Sequence, residues 1–262
     1  MEGAVIKAAF FDIDNTLYDW EARHFVPSGI KAIKSLQRTG VKVFLCTARP
    51  YGSIKDFGVL DLGIKWNGIV ANCGGYVALG NRTLRLLTIE HQTLLTLTHI
   101  AKKNHLTMEF VTAKTRFLTA PGNTFLDNYH GTYSDVVPPI HPYRGEKVTG
   151  VLLFCPEEFD EQFKQVLPDL IYYRFHPYGV DIAQEEHKKG DGISIIMKEF
   201  GWKRDEVLSF GDDLQDITMG EASIFVCMGN GHDKAKEAAD YVCPRIGDDG
   251  LYQALCHYEV LP

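Results

Sequence analysis

The order of apolar and polar positions predicts alternating strands and helices near both ends of the chain. Short apolar runs that are typical of buried strands occupy residues 5–11, 41–46, 68–71 and 76–79. A helix is predicted over residues 27–39, because Pro27 suits a first helical turn and Gly40 suits the position after the last turn. Strands that alternate with helices favour a parallel sheet.

The middle of the chain has a different pattern. Residues 83–183 contain predicted helices at 90–104 and 157–167 and predicted strands at 106–111, 116–119, 148–155, 171–175 and 180–183. Such an order is typical of a separate α+β unit. The alternation then resumes, with strands at 207–210 and 224–227 and helices that begin near residues 187, 213 and 233.

These patterns predict an α/β fold with a Rossmann-like parallel sheet as its core and helices on both faces of that sheet. Residues 1–82 and 184–262 would form the core, and residues 83–183 would form an inserted α+β domain. A chain of 262 residues that is 45% hydrophobic can bury two cores of ordinary size.

Composition narrows the classes of function. The formal net charge of −7 gives no support to nucleic-acid binding, which usually leaves a basic patch on the protein. No run approaches the roughly 20 apolar residues of a membrane helix, and the N-terminus lacks a secretory pattern, so we expect a cytoplasmic protein. The six cysteines are scattered without a CxxC pair, which favours reduced core residues.

Two aspartates stand where the first predicted strand ends. Asp12 and Asp14 directly follow the apolar run, and ligands of parallel sheets bind at the carboxyl ends of the strands. Two carboxylates held this close favour a cation between them, and hard oxygen ligands suit Mg²⁺. A solvated turn or a helix cap is the simpler alternative. A calcium loop of the EF-hand type is excluded, since Leu17 and Arg23 replace its glycine and its bidentate glutamate.

Other predicted strand and helix ends carry polar groups of complementary kinds. Thr47 follows the strand at 41–46, where it would otherwise be a helix cap. Asp212 and Asp216 follow the strand at 207–210, where an ordinary turn is the alternative. Lys188 and Lys189 open the helix before that strand. The carboxyl edge of the sheet is therefore predicted to gather acids, a hydroxyl and a lysine.

Together these groups resemble the motifs of the haloacid dehalogenase superfamily of phosphatases. The first motif, Asp-x-Asp-x-Thr, is matched by Asp12, Asp14 and Thr16; the second by Thr47; the third by Lys189; and the fourth, Gly-Asp-x-x-x-Asp, by Gly211, Asp212 and Asp216. The insert resembles the type IIB cap of the Cof-like sugar-phosphatase branch, and Asn72 with the two glycines at 74–75 resembles the Asn-Gly stretch before that cap. This sequence departs from the usual pattern at Asn15, Ala48, Gln215 and Gly192.

The resemblance implies a role for each group. Asp12 would attack phosphorus to form an aspartyl phosphate, and Asp14 would protonate the leaving alcohol and then activate water. Mg²⁺ would be held by Asp12, by Asp212 and by the backbone carbonyl of Asp14. The remaining site residues would be Thr47 and Lys189 at the phosphoryl group, Asp216 and Gln215 behind them, and Arg49 and Asn72 at the substrate.

The predicted function is hydrolysis of small phosphate monoesters, such as sugar phosphates or related metabolites, with Mg²⁺ as cofactor. A phosphomutase or other phosphotransferase would use the same intermediate, and a non-catalytic protein could bind a phosphorylated ligand with the same fold. Neither nucleic acid nor a membrane is an expected partner, and the sequence leaves the oligomeric state open. Arg49 fits a substrate contact or a structural salt bridge. In the insert, Arg116 fits a substrate contact or a surface position.

Overall fold

A mostly parallel sheet forms around the first apolar run of the chain. The computed structural model describes residues 5–133, 136–184 and 187–261. The strands are β1 (Ala8–Phe11), β2 (Tyr18–Asp19), β3 (His24–Phe25), β4 (Lys42–Cys46), β5 (Gly68–Ala71), β6 (Tyr76–Leu79), β7 (Arg82–Leu86), β8 (Thr107–Thr112), β9 (Arg116–Leu118), β10 (Val148–Phe154), β11 (Ile171–His176), β12 (Gly179–Ala183), β13 (Val207–Gly211), β14 (Ile224–Cys227) and β15 (Tyr241–Val242). The α-helices are α1 (Pro27–Arg38), α2 (Tyr51–Asp56), α3 (His91–Lys103), α4 (Thr124–Tyr133), α5 (Asp160–Val166), α6 (Lys189–Phe200), α7 (Asp233–Ala238) and α8 (Gly250–His257).

The strand order of the larger sheet brings the predicted site residues to one edge. The order is β15-β14-β13-β1-β4-β5-β6-β7, and β1 pairs in parallel with both β4 and β13. In this register Phe11 lies opposite Leu45 on one side and Phe210 on the other. The segments that leave these strands therefore start side by side, as expected at the carboxyl edge of a parallel sheet.

Both faces of this sheet are covered, which explains why β1, β5 and β14 carry no polar side chain. Ala8 and Phe10 pack into a cluster with Ile193 and Ile196 of α6. Because strand side chains alternate between faces, Ala9 and Phe11 point the other way, and they are buried as well. The predicted α/β class with a parallel-dominated sheet is confirmed.

The neighbouring strands of a second sheet pair in antiparallel fashion. Its order is β11-β12-β10-β8-β9, and α3 and α5 supply apolar residues to its core, including Leu97 and Phe163. The chain divides into two compact units, one from residues 1–49, 60–85 and 187–262 and the other from residues 50–59 and 86–186. The predicted division at residues 82 and 183 stays a prediction, and it differs from these units mainly in residues 50–59.

Most predicted elements agree with the structure in kind and to within a few residues. The elements that the sequence pattern did not predict are α2, α4, α8, β7, β15 and the hairpin of β2 and β3. The helix predicted at 157–167 is a 3₁₀ turn, Glu157–Phe159, followed by α5, and the helix predicted near 213 is a 3₁₀ segment, Leu214–Glu221.

The sequence also led us to expect reduced cysteines and no membrane-spanning helix. All six cysteines carry free thiols, and four of them are buried, in agreement with the predicted reduced core residues. Among the described residues, no helix combines the length and apolar character needed to span a bilayer.

A buried ion network lies inside the antiparallel unit. Arg116 of β9 donates to Glu109 of β8 at 3.4 Å, to Asp56 at 3.1 Å and to the carbonyl of Val136 at 2.8 Å. Glu109 is fully buried and Arg116 is 5% exposed. Arg116 is therefore neither a surface residue nor a free side chain, since its guanidinium compensates a carboxylate that water cannot reach.

Replacing Arg116 with Met is expected to destabilise the protein by about 3–5 kcal/mol, because it leaves the Glu109 carboxylate buried without its cation. Denaturant unfolding of the single variant and of the double variant Arg116→Met/Glu109→Leu would measure the effect. The double variant should recover most of the loss. A single variant within about 0.5 kcal/mol of wild type would contradict this account.

Candidate active site

A cavity of about 480 Å³ opens at the carboxyl edge of the parallel sheet. It is lined by Asp12, Asp14, Asn15, Ala48, Lys189, Asp212, Asp213, Gln215, Asp216, Asn230, Gly231 and His232. Most of the predicted site residues are in this set. Thr47, Arg49 and Asn72 are not among the lining residues.

Lys189 joins two acids at the floor of this cavity. Its Nζ donates to Asp12 Oδ1 at 2.7 Å and to Asp216 Oδ1 at 2.5 Å, and all three residues are buried. Burial lowers the pKa of Lys189, but the charges of Asp12 and Asp216 raise it by more, so its pKa lies well above the usual value. The two acids therefore favour the ammonium form of Lys189. Lys188 is the N-cap residue of α6 and does not line the cavity.

Asp216 organises the loop that follows β13. Its Oδ2 accepts hydrogen bonds from the backbone N–H groups of Asp212 at 2.8 Å and Asp213 at 2.9 Å. A Cβ atom at Gly211 would lie 2.3 Å from Asp216 Cγ, so only glycine fits there. The spacing Gly-Asp-x-x-x-Asp thus has a local cause, because the second acid folds back onto the glycine and caps the turn.

Three carboxylates at the floor come close enough to share a cation. One oxygen from each of Asp12, Asp212 and Asp216 lies within 4.8 Å of the others. Burial raises the pKa of Asp12 to about 7, and burial together with the charges of Asp12 and Asp216 raises the pKa of Asp212 to about 9. Among the described residues, the Asp212 carboxylate has no hydrogen-bond or ion-pair partner. The three carboxylates share one cation, Lys189, so this donor set of hard oxygens fits a further metal ion.

Asp14 has a different environment from Asp12. Arg49 grips its carboxylate with two hydrogen bonds, from Nε to Oδ2 at 2.8 Å and from Nη2 to Oδ1 at 2.7 Å, and Trp20 Nε1 donates to Oδ1 at 2.8 Å. Burial raises the pKa of Asp14, but the bonds and charge of Arg49 and the bond from Trp20 outweigh it, so the pKa is lowered. The surroundings of Asp14 thus favour its carboxylate form, whereas those of Asp12 and Asp212 favour the protonated form.

Thr47 and Asn72 shape the neighbouring loops. Thr47 is fully buried, and its Oγ1 accepts a hydrogen bond from the backbone N–H of Arg49 at 3.1 Å. Asn72 has a φ of 50° and its backbone N–H donates to the carbonyl of Arg49 at 3.0 Å. Both residues therefore fix the segment that carries Arg49. Their predicted contacts with substrate stay predictions.

Gln215 stands where the resemblance leads us to expect Asn, and its side-chain amide has a local partner. The thiol of Cys73 donates to Gln215 Oε1 at 2.9 Å. The amide is consequently oriented with its oxygen toward Cys73. Cys73 itself has a φ of 49°, an unusual conformation for a residue other than glycine.

Sequence reasoning missed several residues that the fold brings to this site. Trp20 reaches Asp14 from the β2–β3 hairpin, Asn230 donates to the carbonyl of Asn15 at 2.9 Å, and His232 lines the cavity. The motif Gly-Asn-Gly at residues 229–231 was a visible signal for the last two, because tight glycine turns often bring a backbone close to a site. No local pattern marks Trp20.

Comparisons with known proteins agree with this geometry. The chain matches the haloacid dehalogenase-like hydrolase family over residues 9–255. It is 26% identical over 252 residues to the putative phosphatase YkrA of Bacillus subtilis (strain 168), covering 95% of this chain and 96% of that protein.

Solved structures extend the likeness to three dimensions. A hypothetical protein from Geobacillus kaustophilus HTA426 is 27% identical and superposes with a TM-score of 0.90, covering 98% of this chain and 100% of the other. The subclass IIB sugar phosphatase BT4131 is 26% identical with a TM-score of 0.78, covering 97% and 100%. With the family matched along nearly its whole length and the motif acids and lysine gathered in one cavity, this chain belongs to the haloacid dehalogenase-like hydrolases.

Proposed function

We propose that this protein is a Mg²⁺-dependent phosphatase that hydrolyses small phosphate monoesters, sugar phosphates among them, through a phosphorylated Asp12. The proposal rests on the hydrogen bonding of the two carboxylate oxygens of Asp12. Lys189 occupies Oδ1, while Oδ2 has no hydrogen-bond partner among the described residues and the side chain lines an open cavity. An oriented carboxylate with one free oxygen is what in-line attack on phosphorus requires.

The first half of the reaction transfers the phosphoryl group. An Asp12 oxygen forms a bond to phosphorus while the bond from phosphorus to the ester oxygen breaks, and Asp14 gives a proton to the departing alkoxide. Lys189 remains beside Asp12 and offsets part of the charge of the incoming phosphoryl oxygens.

The second half restores the enzyme. Asp14, left as a carboxylate, takes a proton from a water molecule as that water attacks phosphorus, and the bond between phosphorus and Asp12 breaks to release inorganic phosphate. The ion pair between Asp14 and Arg49 favours the carboxylate that this half needs. Proton donation in the first half requires that Arg49 loosen its hold on Asp14.

Mg²⁺ would be held by Asp12 and Asp212, with the backbone carbonyl of Asp14 as a further ligand implied by the family. The support is the donor set itself, three clustered carboxylates with one of them unpartnered. When bound, the ion would neutralise charge between the carboxylate and the phosphoryl oxygens. Asp216 is committed to Lys189 and to two backbone amides, so we assign it to positioning and not to the ion.

The names of similar proteins support hydrolysis over phosphoryl transfer to a second substrate, since YkrA is named a putative phosphatase and BT4131 a sugar phosphatase. A phosphomutase would use the same intermediate. Phosphate release distinguishes the two, because a mutase returns the group to an isomeric ester.

Asp12→Asn is expected to abolish Mg²⁺-dependent phosphate release, because the amide cannot form the acyl phosphate. Asp14→Asn should slow turnover by roughly 10²–10⁴-fold and leave a phosphorylated protein that mass spectrometry detects. The panel would contain sugar phosphates, nucleotides and 4-nitrophenyl phosphate. Near-normal release by Asp12→Asn would disprove the mechanism, and isomerised ester without phosphate would indicate a mutase.

The raised pKa values of Asp12 and Asp212 predict how metal-free stability depends on pH. The pKa of Asp12 is raised from 3.8 to about 7 and that of Asp212 from 3.8 to about 9. Between these pH values each group binds a proton more readily in the folded protein than in the unfolded chain. Stability should therefore fall as pH rises through this window. Mg²⁺ competes with those protons, so saturating Mg²⁺ should raise the melting temperature by about 5–10 °C at pH 9 and by less at pH 5.

Thermal unfolding with a chelator and then with Mg²⁺ at both pH values would test this prediction. Asp212→Asn is the control, since it removes a proposed ligand and one of the two raised pKa values. An equal Mg²⁺ effect at both pH values, or the same effect in the variant, would argue against the assigned cation site.

Arg49→Met is expected to raise the pKa of Asp14, because it removes two charge-assisted hydrogen bonds to the carboxylate. If Asp14 must be protonated to release the alcohol, the basic limb of the pH profile of kcat should move to higher pH. Trp20→Phe removes one neutral donor and should move the limb in the same direction by less. Steady-state rates across pH measure both shifts, and unmoved basic limbs in both variants would exclude this control of Asp14.

A further inference from the structure

His232 stands at the rim of the cavity in a loop whose backbone is tied to the fourth motif. Its backbone N–H donates to the carbonyl of Asp212 at 2.7 Å, and it directly precedes α7. A Cβ atom at the preceding Gly231 would lie 2.7 Å from the same carbonyl, so this loop packs tightly against Asp212. The position of His232 relative to the floor is therefore fixed by backbone contacts.

A capping contact fixes the proton on the imidazole ring. His232 Nδ1 lies 3.2 Å from the backbone N–H of Lys234 and accepts its hydrogen bond as the N-cap of α7. A ring nitrogen that accepts cannot carry a proton, so the neutral ring bears its hydrogen on Nε2. Nε2–H has no acceptor among the described residues, and His232 is one of the residues that line the cavity.

The burial of the lining residues orders the cavity from floor to rim. Asp12 and Lys189, at 4% and 3% exposure, form the floor, whereas His232 is exposed. A phosphoryl group that reaches Asp12 occupies the floor, so the alcohol part of the ester must extend toward the rim. The acceptors there, such as the exposed carboxylate of Asp213, suit the hydroxyl groups of such an alcohol.

We propose that His232 is a substrate-binding residue that donates from Nε2–H to a hydroxyl oxygen on the alcohol part of the phosphate ester. The proposal rests on the proposed phosphatase function and deepens it. It assigns selection for polyhydroxylated alcohols, such as sugars, partly to a residue of the parallel-sheet unit.

Two substitutions separate the two nitrogens of the ring. The amide oxygen of Asn can take the place of Nδ1 and keep the cap of α7, but Asn has no group at the position of Nε2. The amide nitrogen of Gln reaches the position of Nε2 and keeps a donor there, while its cap is weaker. His232→Asn and His232→Gln are thus matched controls for each other.

The measured quantity is the ratio of kcat/KM for a sugar phosphate to kcat/KM for 4-nitrophenyl phosphate, which has no hydroxyl group on its leaving group. The sugar phosphate is whichever of glucose 6-phosphate, ribose 5-phosphate and erythrose 4-phosphate the wild type hydrolyses best. Loss of one hydrogen bond should lower this ratio about tenfold in His232→Asn. His232→Gln should keep more of the ratio, although its melting temperature should be the lower of the two.

The possible outcomes separate this inference from the proposed function. An unchanged ratio in His232→Asn, or a loss confined to His232→Gln, would reduce His232 to a helix cap and overturn the inference alone. Hydrolysis of 4-nitrophenyl phosphate by wild type without hydrolysis of any of the three sugar phosphates would also overturn it. Failure of wild type to hydrolyse any of these esters would remove the proposed function and this inference together.

Discussion

The site depends on one buried ammonium ion. Lys189 begins α6, and its Nζ is held between Asp12 at the end of β1 and Asp216 in the loop after β13. A buried charge is costly unless it is paired, so each of the three groups requires the other two. Gly190 strengthens this arrangement, since a Cβ there would lie 2.0 Å from the carbonyl of Thr218 and would push the helix start away. The backbone geometry of three segments is consequently set by one charge.

The carboxylates around that ion have unequal environments, and this inequality is what allows them separate tasks. Asp12 has one cation shared with a second acid, whereas Asp14 has a bidentate guanidinium and an indole donor of its own. Neighbouring acids whose pKa values are pushed apart in this way are a common sign of divided acid and base roles. Asp12 and Asp14 are only two residues apart after β1. Their environments differ because different segments of the chain reach the two carboxylates.

Sequence reasoning could predict what depends on local periodicity and on short motifs. The strand at residues 68–71 and the strand at 224–227 agree with the structure because fully buried strands are short continuous apolar runs. Helix α4 was not predicted because its Asn128 and Gly131 are poor helix formers. Two-residue strands such as β2 are too short to show an alternation of apolar and polar residues. The pairing of Arg49 with Asp14 depends on distant segments that meet only in the folded chain, and a sequence pattern does not encode such a contact.

The gradient of burial across the cavity has a consequence for how such a protein can change over generations. Substitutions at the floor disturb a buried ion network and endanger the fold itself, whereas substitutions of exposed side chains usually change stability by less than about 0.5 kcal/mol. Residues at the rim, such as His232, can therefore be exchanged while the chain stays folded. Related proteins can therefore come to accept different leaving alcohols while the phosphoryl transfer at the floor is retained.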